Sequence, residues 1–103
     1  MSVHRRLPKA EWYRLRHKVW ERDGHTCVRC VEVGRPDPEV SLKECHCDHI
    51  KPLSMGGSND MDNLRTLCRY HHVLRKSPSH RGLIAWGLKM GIIPANWRPL
   101  VWE

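Results

Sequence analysis

The stretch CHCDH has the highest density of chemically reactive side chains in the sequence, and a loop rich in Pro and Gly follows it. On an extended strand, alternate side chains point to opposite faces, so Cys45, Cys47 and His49 are expected on one face. His46 and Asp48 are expected on the other face, and the five residues therefore do not form a single ligand set. We interpret Cys45 and Cys47 as small hydrophobic residues of the strand.

A second group of residues has the spacing of a structural zinc site. Cys27 and Cys30 form a C-x2-C pair, with which one tight turn can direct two thiolates at the same ion. Cys68 and His71 lie three apart on a predicted helix and complete a Cys3His set. The alternative is that these are ordinary buried cysteines. His72 is also within reach of Cys68, but adjacent helical residues project about 100° apart, so His71 and His72 are expected to face two different sites.

That geometry implies a second metal centre. Asp48 offers a carboxylate oxygen and His72 an imidazole, and together they leave most of a divalent ion's coordination open, as a catalytic site requires. His49 can stand near the ion without binding it, and an imidazole there is suited to act as general base, although a structural histidine is the alternative. His46 is left open as a third ligand, a phosphate contact or a surface histidine.

Four regular elements are predicted around these residues. They are a helix from Pro8 to Arg22, a strand from Val40 to about His49, a second helix starting between Asn63 and Thr66 and running to Arg75, and a third helix from Leu83 to Met90. The tail PANWRPLVWE is expected to fold back on the body, with Trp97 and Trp102 in the core.

Composition favours one small domain with an anionic partner. The chain has 103 residues with 18 Lys and Arg against 11 Asp and Glu, a net charge of +7. This excess favours a polyanion such as nucleic acid, although a solvated basic surface would also explain it. Five cysteines without an export signal favour metal ligands over disulfides. The sequence contains no apolar run of membrane-spanning length, and we expect a soluble intracellular protein.

Three motifs together resemble the zinc-containing bacterial and phage type of HNH endonuclease. They are WERDGHTCVRC, CDHIKPLSMGG and NLRTLCRYHH, and the resemblance extends from about Trp12 to Lys76. It implies a small α+β protein with a ββα-metal fold, in which two strands and a helix grip one divalent ion beside a structural zinc knuckle. It also implies one domain over residues 1–103, with its core at about 12–76 and a C-terminal helix and tail at 77–103 packing on it.

The resemblance implies a role for each matching residue. Catalysis is assigned to His49 as general base, Asn63 as the residue that holds the base or its loop, and Asp48 and His72 as ligands of Mg²⁺, Mn²⁺ or another divalent ion. Structural zinc is assigned to Cys27, Cys30, Cys68 and His71, the last in place of the usual fourth cysteine. The resemblance places the family's usual basic residue at Arg75 or Lys76. On charge, Arg65, Arg69, Arg75 and Lys76, with basic residues of the first helix, are expected to hold the duplex through phosphate contacts. For Asn63, a helix cap is the alternative.

The implied activity is metal-dependent hydrolysis of DNA phosphodiester bonds, with a scissile phosphate on the ion and products carrying 5′ phosphate and 3′ hydroxyl ends. One active centre per chain predicts that a monomer nicks one strand. The resemblance implies a cytoplasmic protein that is encoded by a bacterium or a phage. Two alternatives remain, a non-catalytic zinc-knuckle module that binds DNA and a partner-dependent subunit of a phage packaging or defence complex. The presence of Asp48, His49, Asn63 and His72 together argues against the simple binding module.

Overall fold

Two short strands and a helix form the centre of the molecule. The computed structural model of the chain describes residues 6–77 and 81–103. The regular elements are α1 (Lys9–Arg22), α2 (Val28–Glu32), β1 (His46–His49), β2 (Leu64–Leu67), α3 (Arg69–Leu74) and α4 (Arg81–Lys89), with single 3-10 turns at Leu53–Met55, Met61–Asn63 and Arg98–Leu100.

The strands pair in an antiparallel ribbon that sets the faces of the reactive residues. Asp48 lies opposite Arg65, and His49 lies opposite Leu64. Leu64 and Leu67 are buried, which anchors β2 in the core, and α3 follows directly after Cys68. This β1-β2-α3 unit, together with the Cys/His cluster described below, confirms the predicted small α+β fold.

The two short helices that carry cysteines begin in the same way. The Cys27 sulfur accepts a hydrogen bond from the backbone N–H of Cys30 at 3.4 Å, and the Cys68 sulfur accepts one from that of His71 at 3.5 Å. Each sulfur therefore satisfies one of the N–H groups that a helix leaves without a partner at its N-terminus. The same turns bring both members of each pair to one place.

Two predicted boundaries were wrong. The strand predicted from Val40 begins only at His46, because residues 41–45 form a turn in which the N–H of Cys45 donates to the carbonyl of Ser41 at 2.8 Å. The second helix begins at Arg69, since residues 64–67 pair with β1 as a strand. The first and third helices lie within a few residues of their predicted positions.

The core joins two cysteines of the Cys/His cluster to the C-terminal residues. Its buried members are Cys27, Cys30, Leu67, Val73, Leu74, Ile93 and Trp102, and Trp97 packs against them. Helix α4 packs against α3, where a Cβ at Gly87 would lie 2.9 Å from a methyl carbon of Val73. The predicted domain of 1–103 also includes residues 1–5 and 78–80, which lie outside the described residues.

Within residues 6–77 and 81–103, no helix has the length and apolar character needed to cross a membrane.

Candidate zinc cluster and active site

Three thiols and one imidazole, from Cys27, Cys30, Cys68 and His71, converge at the N-terminal ends of α2 and α3. The Nδ1 atom of His71 lies 3.6 Å from the sulfur of Cys27, 3.3 Å from that of Cys30 and 3.4 Å from that of Cys68. The sulfurs of Cys30 and Cys68 lie 3.8 Å apart. Tetrahedral zinc places two sulfur ligands about 3.8 Å apart and a sulfur and a nitrogen ligand about 3.5 Å apart. The cluster is therefore compatible with a structural metal such as zinc.

Ionisation of Cys27 opposes ionisation of the other two thiols of this cluster. A hydrogen bond with Cys68 lowers the pKa of Cys27, whereas the same contact and burial raise the pKa of Cys68. Burial and the neighbouring Cys27 also raise the pKa of Cys30. Three thiolates therefore need a cation among them, and a divalent metal supplies one.

Cys45, which directly precedes β1, and Cys47 of β1 lie outside this cluster. Burial is the largest cause that raises the pKa of Cys47, to about 12, and burial likewise raises the pKa of Cys45. Both are therefore neutral thiols at neutral pH, and the sulfur of Cys45 donates to the carbonyl of Leu42 at 3.3 Å. These environments agree with the interpretation of both residues as small hydrophobic residues, but only Cys47 belongs to the strand, because Cys45 lies in the turn before it.

Asp48 of β1 and His72 of α3 form the second pair of potential metal ligands. The Nε2 atom of His72 lies 3.4 Å from the Oδ1 atom of Asp48. Two ligands held about 2.1 Å from one ion, at angles between those of octahedral and tetrahedral coordination, lie about 3.0 to 3.4 Å apart. The spacing therefore fits a single shared divalent ion. His71 and His72, although adjacent, contribute to different sites.

Two arginines hold the carboxylate of Asp48. The Nε of Arg65 donates to its Oδ2 at 2.9 Å, and the Nη1 of Arg75 donates to its Oδ1 at 3.1 Å. Burial alone would raise the pKa of Asp48, but the hydrogen bond with His72 and the charges of His72, Arg75 and Arg65 together lower it below its usual value. Asp48 is therefore an ionised carboxylate at neutral pH, although its side chain is only 2% exposed.

His46 contacts the opposite side of the His72 ring. The Nδ1 atoms of the two imidazoles lie 2.7 Å apart, so one ring donates to the other. Since Nε2 of His72 faces Asp48, His46 contacts the nitrogen that a metal at Nε2 would leave uncoordinated. This geometry does not directly favour any of the three roles left open for His46, which were a third metal ligand, a phosphate contact and a surface histidine. It instead places His46 where its hydrogen bond can orient the ring of His72.

His49 is held by two neighbours that its own strand does not supply. Its ring stacks on the indole of Trp12 from α1, with centroids 5.3 Å apart and an interplanar angle of 10°. Its Nε2 lies 2.9 Å from the Oδ1 of Asn59. Because an amide oxygen only accepts hydrogen bonds, this contact requires a proton on Nε2 and leaves Nδ1 as the basic nitrogen of the neutral ring.

Asn59 is a functional candidate that the sequence interpretation missed. Its position in the run SND suggested only a turn. The signal that could have identified it is that this run directly follows the glycine pair Gly56 and Gly57, in the loop after His49. Asn59 is 8% exposed, which is low for a loop asparagine, and burial of this kind normally requires polar partners.

Asn63 holds the loop and does not contact the ring of His49. Its Oδ1 accepts from the N–H of Lys51 at 2.9 Å, and its Nδ2 donates to the carbonyls of Lys51 and Ser58 at 3.1 and 2.7 Å. Gly57 lies inside the same loop, where a Cβ would fall 1.8 Å from the carbonyl oxygen of Lys51. The alternative of a helix cap is wrong, because β2 follows Asn63 and the N-cap of α3 is Cys68.

The four basic residues assigned to the duplex differ in exposure. The side chains of Arg65 and Arg75 are 13% and 7% exposed, and both bind carboxylates inside the protein. Arg75 also donates to the backbone carbonyls of His49 and Ile50. The guanidinium of Arg69 lies 5.9 Å from the centroid of the Trp86 ring and is partly buried, whereas Lys76 is exposed.

An open cleft brings the candidate residues together. It has a volume of about 780 Å³, and Trp12, Asp48, His49, Asn59, His72 and Arg75 are among the residues that line it. A potential base, its hydrogen-bond acceptor and a potential metal-binding pair therefore face one space. Such a site can activate water beside a bound phosphate.

Comparison with known proteins agrees with this arrangement. The profile of the HNH endonuclease family matches residues 27–77. The chain belongs to the HNH endonuclease family, which confirms the resemblance of the three motifs. A relative from Lactococcus phage SK1, named "Probable HNH endonuclease", is 36% identical over 80 residues, which cover 72% of this chain and 78% of the relative. No solved structure matches the chain.

Proposed function

We propose that the protein is a divalent-metal-dependent endonuclease that hydrolyses DNA phosphodiester bonds and nicks one strand per active site. The observation that carries this proposal is the convergence of Asp48, His72 and His49 on one cleft in a member of the HNH endonuclease family. A protein that only bound DNA would need the basic surface and the Cys/His cluster, but would not need these three groups together.

His49 acts as the general base. The hydrogen bond to Asn59 keeps the proton on Nε2, so Nδ1 can accept a proton from the attacking water. Stacking on Trp12 restricts rotation of the ring and shields one of its faces from solvent. When the ring becomes an imidazolium, the amide oxygen of Asn59 still accepts its Nε2 proton.

Asp48 and His72 hold the catalytic divalent ion, for which Mg²⁺ and Mn²⁺ are the first candidates. When bound, the ion supplies the positive charge that stabilises the charge developing on the phosphate and the departing 3′ oxygen. Arg65 and Arg75 hold Asp48 ionised and fix its orientation. The Cys27, Cys30, Cys68 and His71 set holds a structural zinc that fixes α3, and hence His72, against the sheet.

DNA is the proposed partner, bound through salt-sensitive contacts with phosphates. The exposure of Lys76 and of basic residues on α1 favours them as contacts, together with Arg69 at the edge of α3. The internal ion pairs of Arg65 and Arg75 favour a role in holding Asp48 over direct contact with phosphate. We further propose a monomer that acts in the cytoplasm.

The test is conversion of supercoiled plasmid by zinc-loaded protein with Mg²⁺, with Mn²⁺ or with EDTA. The variants are His49→Ala and Asp48→Asn, and the matched control is His17→Ala, which removes an exposed histidine of α1. Nicking by the wild type and the control, only with added metal, and its loss in the other two variants, would support the proposal. If the wild type binds DNA but leaves the plasmid intact with every metal, the chain alone is not an endonuclease, and the DNA-binding or partner-dependent alternative applies.

A further inference from the structure

The two arginines that hold Asp48 share a second carboxylate, which belongs to Glu103. The Nη1 of Arg65 lies 2.7 Å from one oxygen of Glu103, and the Nε of Arg75 lies 3.1 Å from the other. With the contacts of both arginines to Asp48, the four side chains form a closed ring in which acidic and basic groups alternate.

The chain around Glu103 is held firmly against α3. The indole N–H of Trp102 donates to the carbonyl of His71 at 2.7 Å, and the N–H of Lys76 donates to the carbonyl of Trp102 at 2.9 Å. Two guanidinium groups also lie close to the Trp102 ring, that of Arg29 at 4.6 Å and that of Arg65 at 4.9 Å from its centroid. Glu103 is therefore positioned by the same helix that carries His71 and His72.

The ring balances charge next to the proposed metal pair. Asp48 alone would face two guanidinium groups and leave one positive charge in excess, which would repel a divalent cation in this mostly buried region. Glu103 supplies the second negative charge, so that two carboxylates oppose two guanidiniums. Contact with Arg65 is the largest cause that lowers the pKa of Glu103, which keeps it ionised at neutral pH.

Glu103 also limits the number of hydrogen bonds that Arg65 and Arg75 donate to Asp48. The Nη1 of Arg65 and the Nε of Arg75 are directed to Glu103, so each arginine meets Asp48 through one nitrogen. Without Glu103, the guanidinium of Arg65 could turn further onto Asp48 and compete with a cation for its lone pairs, whereas that of Arg75 is also held by the carbonyls of His49 and Ile50.

We propose that Glu103 is a positioning residue for the divalent-metal centre: it balances the charge of Arg65 and Arg75 and keeps the Asp48 carboxylate available to an ion shared with His72. This inference rests on the proposed function, because it concerns the ion that Asp48 and His72 hold. It assigns a role in metal binding to a residue that lies far from the ligands in sequence.

The experiment measures Mn²⁺ binding to the zinc-loaded full chain without DNA, from the electron paramagnetic resonance signal of free Mn²⁺. Glu103→Gln keeps the size of the side chain and removes its charge, and Glu44→Gln removes an equal charge from an exposed position as the control. We expect Glu103→Gln to raise the Kd for Mn²⁺ roughly tenfold and the control to change it less than about twofold. Zinc content and the melting temperature are measured on the same samples.

The double variant Arg65→Gln with Glu103→Gln distinguishes two explanations for weaker Mn²⁺ binding in Glu103→Gln. One is the loss of charge balance, and the other is the loss of the contacts by which Glu103 holds the arginines in place. Removing one charge of each sign restores the balance, so Mn²⁺ affinity should return toward that of the wild type, whereas lost support would weaken binding further. An unchanged Kd in Glu103→Gln, loss of its zinc, or a weaker double variant would each overturn the inference. A separate outcome tests the proposed metal centre itself. If the wild type binds no Mn²⁺, or if Asp48→Asn binds Mn²⁺ as tightly as the wild type, then Asp48 and His72 do not form a metal site.

Discussion

Replacement of Asn59 by Ala tests how the general base is prepared. The substitution removes the acceptor 2.9 Å from Nε2 of His49 and leaves the stacking partner Trp12 in place. A neutral hydrogen bond contributes about 0.5 to 1.5 kcal/mol, and one to a charged group contributes about 1.5 to 3 kcal/mol. His49 becomes charged as it takes the proton, so the larger range applies to the transition state.

The neutral hydrogen bond is already present before the reaction, so only the difference between the two ranges, about 1 to 1.5 kcal/mol, lowers kcat, which corresponds to a decrease of roughly 5- to 13-fold. The assay is single-turnover nicking of a labelled duplex at saturating metal, with Asn96→Ala, a change at an exposed asparagine, as the matched control. The Mn²⁺ affinity of Asn59→Ala should stay within about twofold of the wild type, because the side chain of Asn59 contacts His49, which is not one of the two proposed metal ligands. A folded Asn59→Ala variant with a kcat within twofold of the wild type would refute the role of Asn59.

Three further predictions concern the surroundings of the site. Trp12→Ala should lower kcat roughly 3- to 10-fold in single-turnover nicking, through loss of a stacking contact of about 1 kcal/mol, and a Trp12→Phe variant that is no better than Trp12→Ala would argue against stacking. Cys68→Ser should remove about one equivalent of zinc and abolish the cooperative thermal transition, because structural zinc contributes of the order of 10 kcal/mol, and a normal melting curve would contradict the cluster. The pKa values of Asp48 and Glu103 are lower in the folded protein than their ordinary values of 3.8 and 4.5, so the unfolded chain binds more protons than the folded one. Their contribution to stability is therefore complete above the ordinary pKa values and is lost as the pH falls through the lower pKa values of the folded protein. Urea midpoints of the wild type should therefore fall below about pH 4, and a Glu103→Gln variant with the same acid dependence would contradict the contribution of Glu103.

The local part of the site could be predicted from the sequence. The spacing of Cys27 to Cys30 and of Cys68 to His71 sets a short turn and one helical turn, and such distances depend on backbone geometry alone. The alternation along β1 likewise places His46 and Asp48 on one face, where both contact the ring of His72. The different directions in which His71 and His72 project follow from the same helical geometry.

The strand β2 could not be identified in this way. Leu64, Leu67 and Leu74 recur at a spacing that also fits one face of a helix, and the pairing with β1 that decides the matter joins residues far apart in sequence. Strand pairing of this kind is non-local, and local periodicity therefore predicted the wrong element for residues 64–67.

The side chains that contact the site residues could not be predicted from the sequence either. Asn59 reaches His49 only because Asn63 and Gly57 close the intervening loop. Composition shows that Arg65 and Arg75 are cations, but it cannot show that both are buried against Asp48 and Glu103. Nothing in the local pattern around Glu103 distinguishes it from an exposed terminal-region glutamate.

The most direct measurement compares DNA affinity and cleavage by His49→Ala in the same samples. Fluorescence anisotropy with a labelled duplex in EDTA gives the Kd, and addition of Mn²⁺ then starts single-turnover cleavage. The account predicts an unchanged Kd and a cleavage rate lower by about 10²- to 10⁴-fold, the usual effect of losing a general base. Cleavage by zinc-loaded His49→Ala at the rate of the wild type would contradict the assignment of His49 as the base.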